Sequence, residues 1–97
     1  MKQSIRDKLE SLSARLEELD RTLASGDATH DLDNYRKLTR EHAELGPVVA
    51  LYGTWRQTMA DLQSAQEMMA DPEMRDLAEE EAEAAKARLP EIEQELQ

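Results

Sequence analysis

The side chains best suited to chemistry are His30 and His42, set in a sequence with 22 acidic residues. Helical bundles hold dinuclear metal sites through Glu-x-x-His pairs on facing helices. Neither histidine has that partner: three residues before His30 stands Asp27, and three before His42 stands Thr39. Asp27, Asp31 and Asp33 do not follow the calcium-loop spacing, which needs a glycine at the sixth position and a glutamate at the twelfth. They read instead as turn and cap residues. The three glycines, Gly26, Gly46 and Gly53, form no phosphate-cradling loop, and Ser4, Ser11, Ser13, Ser25 and Ser64 lie outside any nucleophile elbow. The residues therefore assign no catalytic group, no cofactor and no metal ligand.

Groups that could meet a partner are easier to find. Arg21, His30, Arg36, Lys37 and Arg40 gather around one stretch, which suggests a local basic patch. Met59, Met68, Met69 and Met74 could line an adaptable groove, but at helical spacing they read as core. Trp55 reads as core rather than as an exposed anchor. The acidic run from Glu79 to Glu83 reads as a solvated face, and His42 as a half-buried residue of an apolar stripe.

These side chains must be carried by helices. With 97 residues the chain is one domain at most, expected to bury roughly 60 to 65% of its unfolded surface. Phe is absent and the aromatics are Tyr35, Tyr52 and Trp55, so burial rests on Leu, Ala and Met. No cysteine means no disulfide framework, as suits a reducing cytoplasm. The stretch MKQSIRDKLE lacks the apolar centre of a signal peptide, and no run of about 18 apolar residues could span a membrane. A formal charge of −10 argues against a duplex-binding surface. The charge is uneven: residues 1–46 carry 8 basic and 10 acidic side chains, residues 71–97 carry 3 and 10. Any contact with nucleic acid is expected from the first half.

Ile5, Leu9, Leu12, Leu16, Leu19 and Leu23 keep a 4-3-4-3-4 spacing and predict a first helix. Ser4 with Asp7 is its expected capping box and Gly26 its stop. GDATHD is turn chemistry, with Asp31 or Asp33 as the next cap, and so short a loop predicts an antiparallel return. Tyr35, Leu38, His42, Leu45, Val49 and Tyr52 hold their spacing across Gly46-Pro47, and Trp55 or Arg56, Met59, Leu62, Gln66 and Met69 extend it. The unbroken phase predicts one helix over about 32–70, kinked near Pro47 and roughly 58 Å long. DPEMRDLAEEE opens a third helix, with Asp71 as N-cap and Pro72 at the first helical position. Met74, Leu77, Ala78, Glu81, Ala85, Leu89, Ile92 and Leu96 continue it, with a bend or split expected at Pro90. The fold class is all-α, an elongated antiparallel three-helix bundle with a long kinked central helix. A self-associating coiled coil, motivated by the Ile5–Leu23 stripe, is the structural alternative.

YRKLTREHAEL, then PVVALYGTW, then MMADPEMRDLAEEE resemble the N-terminal domain of bacterial class I peptide chain release factors, in particular the branch that reads UAA and UAG. The likeness runs from SIRDKLESL to EIEQELQ, and the Asp71-Pro72-Glu73-Met74-Arg75 block with the Tyr35 block carries it. The resemblance implies that residues 1–97 are the N-terminal helical domain of a cytoplasmic factor that promotes peptidyl-tRNA hydrolysis at a stop codon. In that family codon reading uses a Pro-x-Thr tripeptide and hydrolysis a Gly-Gly-Gln motif. This sequence holds neither, so the resemblance implies a non-catalytic fragment, not itself an enzyme. The implied partners are the ribosome, at the rRNA and protein of the large-subunit stalk base, and the class II release factor GTPase, with no membrane and the fragment monomeric.

Overall fold

A computed structural model describes residues 1–97. The chain forms three α-helices, α1 (Gln3–Ala24), α2 (Leu32–Met68) and α3 (Arg75–Leu96). They divide between two compact units, Met1–Ala50 and Leu51–Gln97, and α2 contributes to both.

In the first unit the expected stripe of α1 faces inward. Leu9 and Leu19 are buried, while Ile5, Leu12, Leu16 and Leu23 are half-buried. The capping box at Ser4 is not formed. The helix begins two residues earlier, with Lys2 at the cap position; the Lys2 carbonyl accepts from the backbone N–H groups of Ile5 and Arg6 at 3.1 Å each, and Asp7 accepts from the Gln3 amide at 2.8 Å. With Ser4 already inside the first turn, its hydroxyl has no cap position to fill. The stop also differs from expectation. Ser25, in an extended conformation, ends α1 and donates its N–H to the Thr22 carbonyl, and Gly26 has no positive φ.

Residues 25–31 turn the chain back. Asp31 opens α2, accepting the Asn34 N–H on its carboxylate at 3.1 Å and the Tyr35 N–H on its carbonyl at 2.9 Å. This satisfies donors that the first helical turn leaves without partners. Asp33 sits in that turn, near the positive end of the helix dipole. The returning helix offers Tyr35, Leu38, His42, Leu45 and Val49 as half-buried positions against α1.

α2 is continuous through Pro47 and α3 through Pro90, so the expected split of the third helix does not occur. A helical proline removes one N–H, which leaves the carbonyls of Ala43 and Lys86 without their usual i+4 donors. Both prolines are exposed, where water can serve those carbonyls.

The second unit packs residues 51–68 of α2 against α3. Its core is Tyr52, Trp55, Ala65, Ala78, Ala82, Ala85 and Ile92. The Tyr52 and Trp55 rings stack at 5.9 Å with 12° between planes. The four alanines, between 0 and 7% exposed, leave little side-chain thickness between the two helices. Here the register departs from expectation. On α2 Met59 and Gln66 are exposed and Ala65 is buried. On α3 Leu77, 47% exposed, and Glu81 face outward, while Ala82 is fully buried. None of the methionines expected in the core is buried: Met59 is exposed, and Met68, Met69 and Met74 are half-buried.

The residues DPEM do not begin the helix. The Asp71 carboxylate accepts the Glu73 N–H and its carbonyl accepts the Met74 N–H, each at 3.0 Å. Met74, at φ −100° and ψ −4°, then hands over to α3, which starts at Arg75. Asp71 is a cap in chemistry, but it opens the turn of residues 71–74 that leads into the helix, four positions before Arg75.

Candidate interaction surface

The first unit is cross-linked by polar groups that flank its apolar seam. Arg15 of α1 grips Glu41 of α2 with a two-pronged contact, Nε to Oε1 at 2.8 Å and Nη2 to Oε2 at 2.9 Å, and also meets Glu18 at 3.1 Å. Paired N–H donors on a carboxylate give direction as well as attraction. The Arg15 hydrogen bonds hold the Glu41 carboxyl below the usual glutamate range, against a smaller opposing effect of partial desolvation and with Lys37 adding to the lowering. The same contact raises the Arg15 guanidinium further above neutrality. Next to it, His42 Nε2 lies 2.6 Å from Asp20 Oδ1. His42 is half-buried as expected, yet its partner is a carboxylate of α1 rather than an apolar wall.

A pH dependence follows. Glu41 titrates lower in the folded chain than in the unfolded one, so its contribution to stability is complete above the ordinary value of 4.5 and fades as pH falls through the lowered folded value. The stability gap between the wild type and Glu41→Gln is therefore expected to be constant near neutrality and to close in acid. Urea melts between pH 7 and pH 2.5 measure it; a gap independent of pH would show that the contact does not favour the ionised form.

The basic residues of the first half do not form one patch. All five are exposed. By helical register Arg21 stands about 160° from the stripe of α1, while Arg36 and Arg40 stand about 140° and 180° from the buried face of α2. The two groups therefore point to opposite sides of the hairpin, and His30 lies in the turn. Arg36 and Arg40, close together on α2, remain as a pair, with Lys37 on their flank.

In the second unit the acidic run is spread over an exposed face, where Glu79 holds Arg75 at 3.2 Å and Glu83 holds Lys86 at 3.7 Å. A shallow groove of about 630 Å³ between Thr58, Asp61 and Ser64 on α2 and Glu81, Ala84 and Arg88 on α3 contains no nucleophile with an adjacent base. Arg88 is engaged by Glu91 and Asp61 by the Gln57 amide. No group of three or more His, Asp or Glu side chains is placed to hold a metal ion, and no helix is long and apolar enough to cross a membrane. Trp55 is core, as expected, and offers no exposed anchor.

The cross-links at Arg15–Glu41 and Asp20–His42 were not anticipated from the sequence. Their only signal is position: Arg15, Asp20 and Glu41 border the apolar stripes of two helices expected to pair.

The fold is an all-α helical domain in which Arg15 with Glu41 and Asp20 with His42 pair across two helices. Residues 12–97 match the PCRF domain, and the chain belongs to that family. Over all 97 residues it is 57% identical to peptide chain release factor 1 of Burkholderia multivorans, and 55% identical to the proteins of that name from Burkholderia cenocepacia and Burkholderia orbicola. The chain spans 27% of the length of these relatives. No solved structure matches it significantly.

Proposed function

We propose that this chain is the ribosome-docking domain of a class I peptide chain release factor, acting in the cytoplasm in translation termination at UAA and UAG. The observation that carries the reading is identity above one half along the whole chain to proteins named peptide chain release factor 1. In this reading codon recognition and peptidyl-tRNA hydrolysis belong to other parts of the full-length factor. The present chain supplies a shape and a charge pattern, not a reaction. Its partners are the rRNA and protein at the base of the large-subunit stalk, and it bears on exchange with the class II release factor GTPase.

What supports docking over self-association is that the Leu stripe of α1 already packs within its own unit, with Leu9 and Leu19 buried there and the rest of the stripe half-buried. The purified chain is expected to sediment as a monomer whose thermal transition does not move with concentration. It is further expected to bind the isolated stalk-base complex of RNA and protein saturably, and more weakly as salt rises. A dimer that melts at higher temperature when concentrated, with no affinity for the complex, would replace docking by coiled-coil assembly.

A further inference from the structure

We propose that the outer face of α2 at Arg36 and Arg40, flanked by Lys37, is a contact surface for the phosphate backbone of RNA. This deepens the docking reading above and rests on it.

The chain has 22 acidic against 12 basic side chains, so an arginine left without a carboxylate needs a reason. Arg15, Arg75 and Arg88 each hold a glutamate. Arg56 lies over the Tyr52 ring at 5.9 Å. The side chains of Arg21, Arg36 and Arg40 are in no ion pair or hydrogen bond. Two of these three are neighbours, four positions apart on one exposed helix face, which separates them by about 6 Å along the axis and about 40° around it. Acids were within reach: Asp33 lies three residues before Arg36, and Glu44 four after Arg40, a spacing that supports helix pairs. Neither is taken up; Asp33 faces the dipole of the first turn instead.

The chemistry of the face favours a phosphate backbone over an acidic protein. A guanidinium presents its N–H donors in a planar fork that matches phosphate oxygens two at a time. Two forks one turn apart suit a polymer whose charge repeats at short intervals. Protein interfaces draw their energy from buried aromatic or aliphatic anchors. The helix neighbours of Arg36 and Arg40 are Leu32, Asp33, Lys37, Thr39, Ala43 and Glu44, with a single large apolar side chain among them. Backbone recognition needs no such anchor.

The test uses the folded 97-residue chain, with three proteins: wild type, Arg36→Gln/Arg40→Gln, and Arg75→Gln/Arg88→Gln as a control that removes equal charge from α3. Far-UV circular dichroism checks that all three are folded. Two probes are titrated over a salt series, the protein-free stalk-base RNA transcript and the assembled stalk-base complex. Wild type and control are expected to bind the transcript with the same salt slope. The α2 double variant is expected to bind more weakly, with a slope shallower by about 1.4 to 1.8, the loss of two phosphate contacts. Equal affinity and slope for the wild type and the α2 variant on the transcript would overturn the proposal, as would binding confined to the stalk protein. If the complex binds wild type and α2 variant alike, docking stands and the arginine surface falls. If the complex is not bound but the transcript is, in an arginine-dependent way, the reverse holds.

Discussion

Replacing Trp55 with alanine is expected to remove about 3 to 5 kcal/mol of folding stability. The indole is 4% exposed and stacked on Tyr52, so its loss takes away both transfer energy and a packed ring contact, and leaves a cavity that neighbouring alanines are too small to fill. A domain of this size is held by about 5 to 15 kcal/mol in all. The variant is thus expected to unfold at a markedly lower urea concentration, with its second unit partly open at room temperature. Helical circular dichroism against urea measures it, because the variant has no tryptophan to follow. Leu77→Ala, at a large apolar residue that is exposed, is expected within about 0.5 kcal/mol of wild type. Comparable costs at the two positions would mean that the register of the second unit is wrong.

The second large effect is the opposite kind of change. Ala82 is fully buried between α2 and α3, with Ala78 and Ala85 on the same face of α3. Ala82→Leu forces three more carbons into a seam built of methyl groups, and overpacking of this kind costs about 1 to 3 kcal/mol or more. Ala87→Leu on the exposed face of the same helix is the matched control. Leucine and alanine have similar helix propensities, so a difference between the two variants isolates packing from helix formation. Urea midpoints that fall together would show that α2 and α3 do not approach closely at Ala82.

These two residues also show how far the sequence could be read. Trp55 was legible as core because a large aromatic on an apolar stripe has few other places to go. Ala82 was not, because apolar periodicity is dominated by large side chains: Leu77 outweighs an alanine on any hydropathy pattern, although close helix packing selects the small residue. The same bias drew Met59 into the expected core. Helix number, order and approximate limits followed from spacing and turn residues alone, and Pro47 did not break α2 because the apolar phase across it is kept. The ends were less legible. Asp71 has the right chemistry for a cap, and only backbone geometry reveals that a separate turn precedes Arg75.

The basic patch was half legible. Sequence proximity places Arg21 and Arg36 together, whereas helical register turns them to opposite sides, and only the Arg36–Arg40 pair survives as a surface. The cross-links of Arg15 and His42 depend on which residues of two helices come level, and that register is a tertiary fact.

The sole tryptophan has an optical consequence. Trp55 belongs to the core of Leu51–Gln97, while Met1–Ala50 has Tyr35 as its only ring chromophore besides the histidines. Indole emission therefore reports on one half of the molecule and is blind to the hairpin that carries Arg36 and Arg40. A titration with RNA that leaves the emission unchanged while an extrinsic dye on α1 responds is what local capture by the hairpin would look like, and a shift in the indole band would register a response that had travelled along α2.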